Sequence, residues 1–251
     1  MRLLVITALG VGGATIVGAL IGFLFEKIPH KWHDAILGFA AGIMLAAAVL
    51  GLIVPSVELV GKSGIWVSAV GILMGAIFLN AMDKLTPHLH HISGVDEEEH
   101  KNNASLNKIM LFVMAIAIHN LPEGLAAGVG FGAGDIGNAI TVALGIALQN
   151  IPEGMVIISP MLLAGVSKKR TLLIASFTGF VEVAGTFVGY FAAILSAAIL
   201  PFALAFAGGT MLYVISDEMI PETHSHGYER MATYALLIGF IVMLFMDTLI
   251  G

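Results

Sequence analysis

The strongest constraint on this chain is its division into eight long apolar stretches, at about 3–25, 33–57, 63–85, 107–131, 138–164, 170–196, 199–222 and 229–250, parted by polar punctuation. Each is near the roughly 20 residues that carry an α-helix across bilayer hydrocarbon. In that medium every backbone N–H and C=O needs a partner within the protein, which selects helices for segments of this length. The supply of charge agrees, since 11% of the residues are charged and 58% hydrophobic, where soluble domains carry about 25% charged residues. A water-facing surface cannot be assembled from so few charges. The expected fold is an all-α integral membrane protein with eight transmembrane helices and a single domain, 1–251. The stretch ending near Phe25 shows no clear cleavage site and more spans follow it, so it reads as the first helix rather than a secretory signal.

Positive charge tests the helix count. With eight spans, one side of the membrane receives Lys27, Lys31, Lys84, Lys101, Lys108, Lys168, Lys169, Arg170 and Arg230, and the other only Arg2 and Lys62. The first side is therefore expected to be cytoplasmic, both termini extracytoplasmic, and the location the cell membrane, with the lipid bilayer as surroundings. The one long connection, 86–106, falls on the cytoplasmic side and holds His88, His90, His91, the acidic run Asp96–Glu99 and His100. His30, His33, His224 and His226 fall on that side too. Taken singly, each is an ordinary solvated histidine; as a group with carboxylates they have a metal-binding composition. No basic patch suits nucleic acid. The chain has no cysteine, so any metal must be held by imidazole, carboxylate, amide or thioether.

Most prolines stand at helix ends, but Pro122 and Pro152 lie near the centres of spans four and five, where a proline removes a backbone hydrogen bond. They are expected to break these helices. Both sit in the same setting, His119-Asn120-Leu121-Pro122-Glu123-Gly124 and Gln149-Asn150-Ile151-Pro152-Glu153-Gly154. His119 and Glu123 are four residues apart, as are Gln149 and Glu153, so each pair shares a helix face. Consecutive spans run antiparallel, and the two faces can meet at mid-membrane; interrupted helices in corresponding positions are a pointer to a transport site. Glu182, in the centre of span six, adds a third carboxylate. A carboxylate at that depth costs roughly 2.5–3.5 kcal/mol on insertion scales. No Lys or Arg lies in the central part of any span to offset it. Protonated glutamates bonded to one another are one answer; the added imidazole and three amides favour the other, a bound cation. Imidazole with carboxylate and amide oxygens suits zinc, iron(II) or manganese(II).

These residues resemble the ZIP (Zrt-, Irt-like protein) divalent metal transporters, in particular their GufA-like bacterial branch. The likeness covers essentially the whole chain and rests on the two motifs, the Glu182 segment, Gly38-Phe-Ala-Ala-Gly-Ile-Met-Leu-Ala-Ala47 and Tyr213-Val-Ile-Ser-Asp-Glu-Met-Ile-Pro-Glu222. It implies a 3+2+3 arrangement with an inverted repeat, helices four and five inside, and transport of zinc toward the cytoplasm, with iron(II), manganese(II) and cadmium(II) as alternative cargo. It maps a central metal site onto Met44, His119, Asn120, Glu123, Gln149, Asn150, Glu153 and Glu182. Some relatives hold two adjacent metals there and have Asp at the position of Asn150, where an amide is the weaker ligand. Met44 reads from sequence alone as ordinary helix packing and only by resemblance as a thioether at the rim.

The resemblance further implies a release route through His88, His90, His91, Asp217, Glu218, Glu222 and His224, although a solvated helix end explains the last four singly. Asp34 and Lys108 would form a gate pair, Glu58 an entrance, and the protein a homodimer. Two rival functions are an intramembrane metallohydrolase using His119 and the glutamates to activate water, and a metal-sensing membrane protein without flux. A His-Glu-x-x-His helix motif is absent, which weighs against the hydrolase, and the chain is expected not to be an enzyme.

Overall fold

The computed structural model describes residues 1–25, 28–85, 103–163, 165–196 and 198–250, and within them all side chains except those at 83–85, 103–116, 119, 160 and 163. No strand occurs among the described residues. The helices are α1 (Arg2–Gly22), α2 (His30–Ala46), α3 (Val54–Leu85), α4 (Asn103–Ala133), α5 (Ile136–Leu163), α6 (Lys168–Leu195), α7 (Leu200–Val214), α8 (Ile220–Thr223) and α9 (Glu229–Ile250). A π-helical turn over Ala47–Ile53 joins α2 to α3, and another over Ile215–Met219 joins α7 to α8.

Local sequence explains the punctuation. Ser167 caps α6 by accepting a hydrogen bond from the Arg170 N–H at 3.4 Å, which satisfies one of the orphan donors of a first turn. Pro201 sits in the first turn of α7, where its missing N–H costs nothing. Gly61 (φ 63°) is the non-helical residue inside α3; glycine adopts that left-handed conformation without steric penalty.

Burial is inverted relative to a soluble protein. Trp66, Leu73, Phe180, Phe245 and Leu249 face outward, whereas the interior is rich in Ala, Gly and Thr beside Ile, Leu, Val and Met, and holds buried Asp, Glu, Asn and Gln side chains as well. Six described stretches are long and apolar enough to cross a membrane. Such a surface is stable only with lipid as its solvent, and the protein is a multi-pass membrane protein.

The helices associate in two groups. In the first, α4 packs on α6 and α1 on α5 and α6; in the second, α3 packs on α7 and α2 on α9. Within each group glycines bring backbones together. A Cβ at Gly124 or Gly128 would collide with the carbonyls of Glu182 or Thr186, and one at Gly154 with the carbonyl of Thr15. In the second group Gly42 abuts the Leu236 carbonyl and Gly209 that of Ile72. Small residues take this role in membranes because lipid offers no hydrophobic drive to assemble helices, leaving close packing to do it. Between the groups the neighbours of glycine are side chains: Val142 over Gly51, and Met243 over Gly145.

The prolines behave differently from expectation. α4 continues as helix across Pro122 and α5 across Pro152. A proline forfeits one hydrogen bond, but Gly124 and Gly154 clamp the next turn against α6 and α1, and this packing holds the helical path. The departures from α-helix fall instead at Gly61 and the two π-helical turns.

Candidate metal site within the helix bundle

The helical register of α4 and α5 places Glu123 and Gln149 in contact. The Gln149 amide donates to Glu123 Oε1 at 2.5 Å. One residue further along α5, Asn150 donates to Glu182 Oε1 on α6 at 2.6 Å and to the Val11 carbonyl on α1 at 3.2 Å. The Thr15 hydroxyl of α1 reaches the other Glu182 oxygen at 3.5 Å. Four helices thus converge on one polar cluster. Asn120, Glu123, Gln149, Asn150 and Glu182 are all buried, each no more than 1% exposed. Glu153 is half-buried and lies close enough to act electrostatically on both Glu123 and Glu182.

What these groups lack is as telling as what they have. Asn120 Oδ1, Glu123 Oε2, Gln149 Oε1 and Asn150 Oδ1 are buried with no hydrogen-bond partner among the described residues. All four are acceptor oxygens. A buried polar atom without a partner costs roughly 1–3 kcal/mol, and a cluster of one sign asks for a species that only accepts electron pairs. A cation does so. Carboxylate and amide oxygens, with imidazole nearby in sequence, form a mixed donor set for a borderline divalent metal.

The structure brings Glu123, Gln149, Asn150 and Glu182 together, with Glu153 beside them, and buries Asn120 three residues before Glu123 on α4. Met44 is 1% exposed and packs in the apolar core with Ile43, Ala47 and Ala48. The His119 backbone is helical in α4; its side chain, that of Lys108, and residues His88, His90 and His91 lie outside the described residues. Glu58 and Asp217 are exposed, and Glu218 and Glu222 half-buried. His224 is engaged locally, its Nδ1 2.8 Å from the Ile220 carbonyl and its Nε2 3.3 Å from Thr233 Oγ1. Asp34 meets His226 at 3.0 Å and His33 at 3.5 Å. Among the described residues no three His or acidic side chains already surround a cation position. Sequence reasoning missed Thr15 and the Val11 carbonyl. The available signal was a hydroxyl residue at the middle of the apolar α1, whose other threonine, Thr7, stands nearer its start.

A multi-pass helical membrane protein with buried carboxylates and unpaired acceptor oxygens at its centre belongs to the class that handles cations within the bilayer. Comparison with known proteins supplies the family. Residues 97–247 match the model of the family described as ZIP Zinc transporter. The chain is 40% identical to zinc transporter GufA of Myxococcus xanthus, with 98% of each protein covered. It is 37% identical to zinc transporter ZIPB of Bordetella bronchiseptica, over 95% of this chain and 78% of that protein. It is 32% identical to human zinc transporter ZIP11, over 95% of this chain and 94% of that one. The chain belongs to the ZIP zinc transporter family. These relatives are named as transporters, not enzymes, and the metallohydrolase alternative is not favoured.

Proposed function

We infer that the chain carries zinc across the membrane toward the cytoplasm, and that the cation rests among His119, Asn120, Glu123, Gln149, Asn150, Glu153 and Glu182, with Met44 at the rim. Zinc transport follows from the family. The observation that supports this particular site is the set of unpartnered acceptor oxygens on Asn120, Glu123, Gln149 and Asn150, all buried at the meeting of α4 and α5. Weak amide ligands mixed with carboxylates suit a site that must release its ion. Asn150 spends its donor end on Glu182 and Val11, which leaves one oxygen for a metal and favours a single cation. Iron(II), manganese(II) and cadmium(II) remain alternative cargo for the same donors.

The proposed topology has eight crossings. The stretch His30–Met82 is 53 residues long. At 1.5 Å per residue it would extend about 80 Å, well over twice the ~30 Å of hydrocarbon, so it counts as two crossings that turn at Gly61. α4 completes the set, in a 3+2+3 order with an inverted repeat. The cytoplasmic side carries the loop 86–106, and both termini lie opposite in the cell membrane. Asp217, Glu218, Glu222 and His224, with the loop histidines, then form the release route, Asp34 and Lys108 its gate, and Glu58 the entrance. The assembly is a homodimer.

Transport is proposed to move the two helix groups against one another. Backbone-tight glycine contacts within each group and side-chain contacts between them favour rigid bodies with a softer boundary. Uptake of radioactive zinc into proteoliposomes tests the function. Wild type is expected to accumulate zinc, and Glu123→Ala and Glu153→Ala to lose it. Zinc binding without accumulation in correctly inserted protein would leave a sensor rather than a transporter.

A further inference from the structure

Away from the central cluster, the start of α2 and the turn before α9 bring three histidines and one aspartate together. His30, His33 and Asp34 share one face of α2 through their three- and four-residue spacing. Gly227, at φ 85°, turns the chain toward α9 directly after His226. His226 Nδ1 lies 3.0 Å from Asp34 Oδ1, and His33 Nδ1 lies 3.5 Å from the same oxygen. The His30 ring stacks on His226 with centroids 4.2 Å apart. Asp34 is completely buried, and both its Oδ2 and His33 Nδ1 have no hydrogen-bond partner among the described residues.

We propose that His33, Asp34 and His226, with His30 beside them, form a second cation site, separate from the central one, that takes a zinc-like divalent metal. In a tetrahedral zinc site with bonds of about 2.0–2.1 Å to nitrogen and oxygen, neighbouring ligand atoms stand about 3.3 Å apart. The two nitrogen-to-carboxylate separations, 3.0 and 3.5 Å, bracket that edge length. Both separations run to Asp34 Oδ1, and Oδ2 of the same carboxylate has no partner among the described residues, so the carboxylate keeps an oxygen for an ion. The three side chains do not yet surround a cation position; metal binding would draw His33 and His226 onto the ion, and the side-chain hydrogen bond between His226 and Asp34 holds the two segments in register until then. The positive end of the α2 dipole opposes a cation here, so the site binds more weakly than an isolated His₂Asp set would. Such a site suits a waypoint for a departing ion; that role rests on the proposed transport, whereas the binding itself does not.

The test measures binding, not flux. Tag-free full-length protein carrying His119→Ala and Glu182→Ala is titrated with zinc by equilibrium dialysis, with and without added His33→Ala and His226→Ala. The histidine replacements are expected to remove one zinc equivalent per chain, or to weaken it by at least about tenfold, the least that loss of a supporting group around a metal costs. Equal stoichiometry and affinity in the two proteins would overturn the site. A second pair, His33→Gln with His226→Gln, keeps a hydrogen bond to Asp34 while removing imidazole. If that pair unfolds at the same temperature as its parent without metal yet still binds the full complement, the cluster is only a structural staple. Wild-type protein that shows no uptake, while the His119→Ala, Glu182→Ala protein binds this zinc, would refute the transport reading and leave the site standing.

Discussion

Gln149 on α5 offers its donor end to Glu123 on α4, at 2.5 Å, and its acceptor end has no partner among the described residues. The amide holds the carboxylate through its donor, and half a turn of that amide would present an oxygen to an incoming ion. A primary amide can do either because it carries a donor and an acceptor on one planar group.

Gln149→Leu is expected to keep the helix packing but lose both roles. Half-saturation of zinc uptake should rise by roughly ten- to a hundredfold, the range for removal of a group that orients a metal ligand. The concentration dependence of uptake in proteoliposomes checks this, and an unchanged half-saturation would place the ion away from Gln149.

Asn150→Asp replaces the donor that serves Glu182 Oε1 and the Val11 carbonyl with a second carboxylate. Without metal the two like charges meet in a buried site, and the midpoint of thermal unfolding should fall below wild type. With zinc the added carboxylate becomes a ligand, and the zinc-induced rise in midpoint should exceed that of wild type. Thermal unfolding in detergent with and without zinc reads both signs.

Gly128→Ala sets a Cβ against the Thr186 carbonyl. Backbone cannot yield as a flexible side chain does, so α4 and α6 must separate, at a cost of about 1–3 kcal/mol typical of overpacking. Gly10→Ala meets nothing within 4 Å and serves as the neutral control. Chemical unfolding of the two variants should differ accordingly.

The absence of native cysteine makes cross-linking clean. Ser56 and Ser68 face each other at 2.7 Å within the second helix group, so a disulfide between cysteines placed there should leave uptake intact. Gly145 and Met243 face each other across the two groups. Cysteines at those positions should stop uptake on oxidation and restore it on reduction. Unimpaired uptake by the oxidised pair would mean that the groups do not move there.

Much of the central site was legible in the chain because the signal is energetic and one-dimensional. A carboxylate in hydrocarbon is expensive wherever it stands, so Glu123, Glu153 and Glu182 stood out without any knowledge of their neighbours. The four-residue spacing then put partners on shared faces, and Gln149 was found against Glu123. Thr15 escaped because a lone hydroxyl in a helix can satisfy itself on its own backbone, so its presence in α1 did not demand a partner. The prolines misled in the opposite direction: their local cost was real, but the glycine contacts that hold α4 and α5 helical lie on other helices.

By itself the sequence determined that the chain enters a membrane as helices and that Glu123, Glu153 and Glu182 stand at a cost inside apolar stretches, since hydropathy and ionisation costs belong to each residue separately. The tertiary structure decided which helices pack together, that Asn150 serves Glu182 and Val11, and that Asp34 faces His226 across 192 positions of chain. Those relations depend on which glycine admits which backbone, and a close approach is a property of two surfaces that neither segment carries alone.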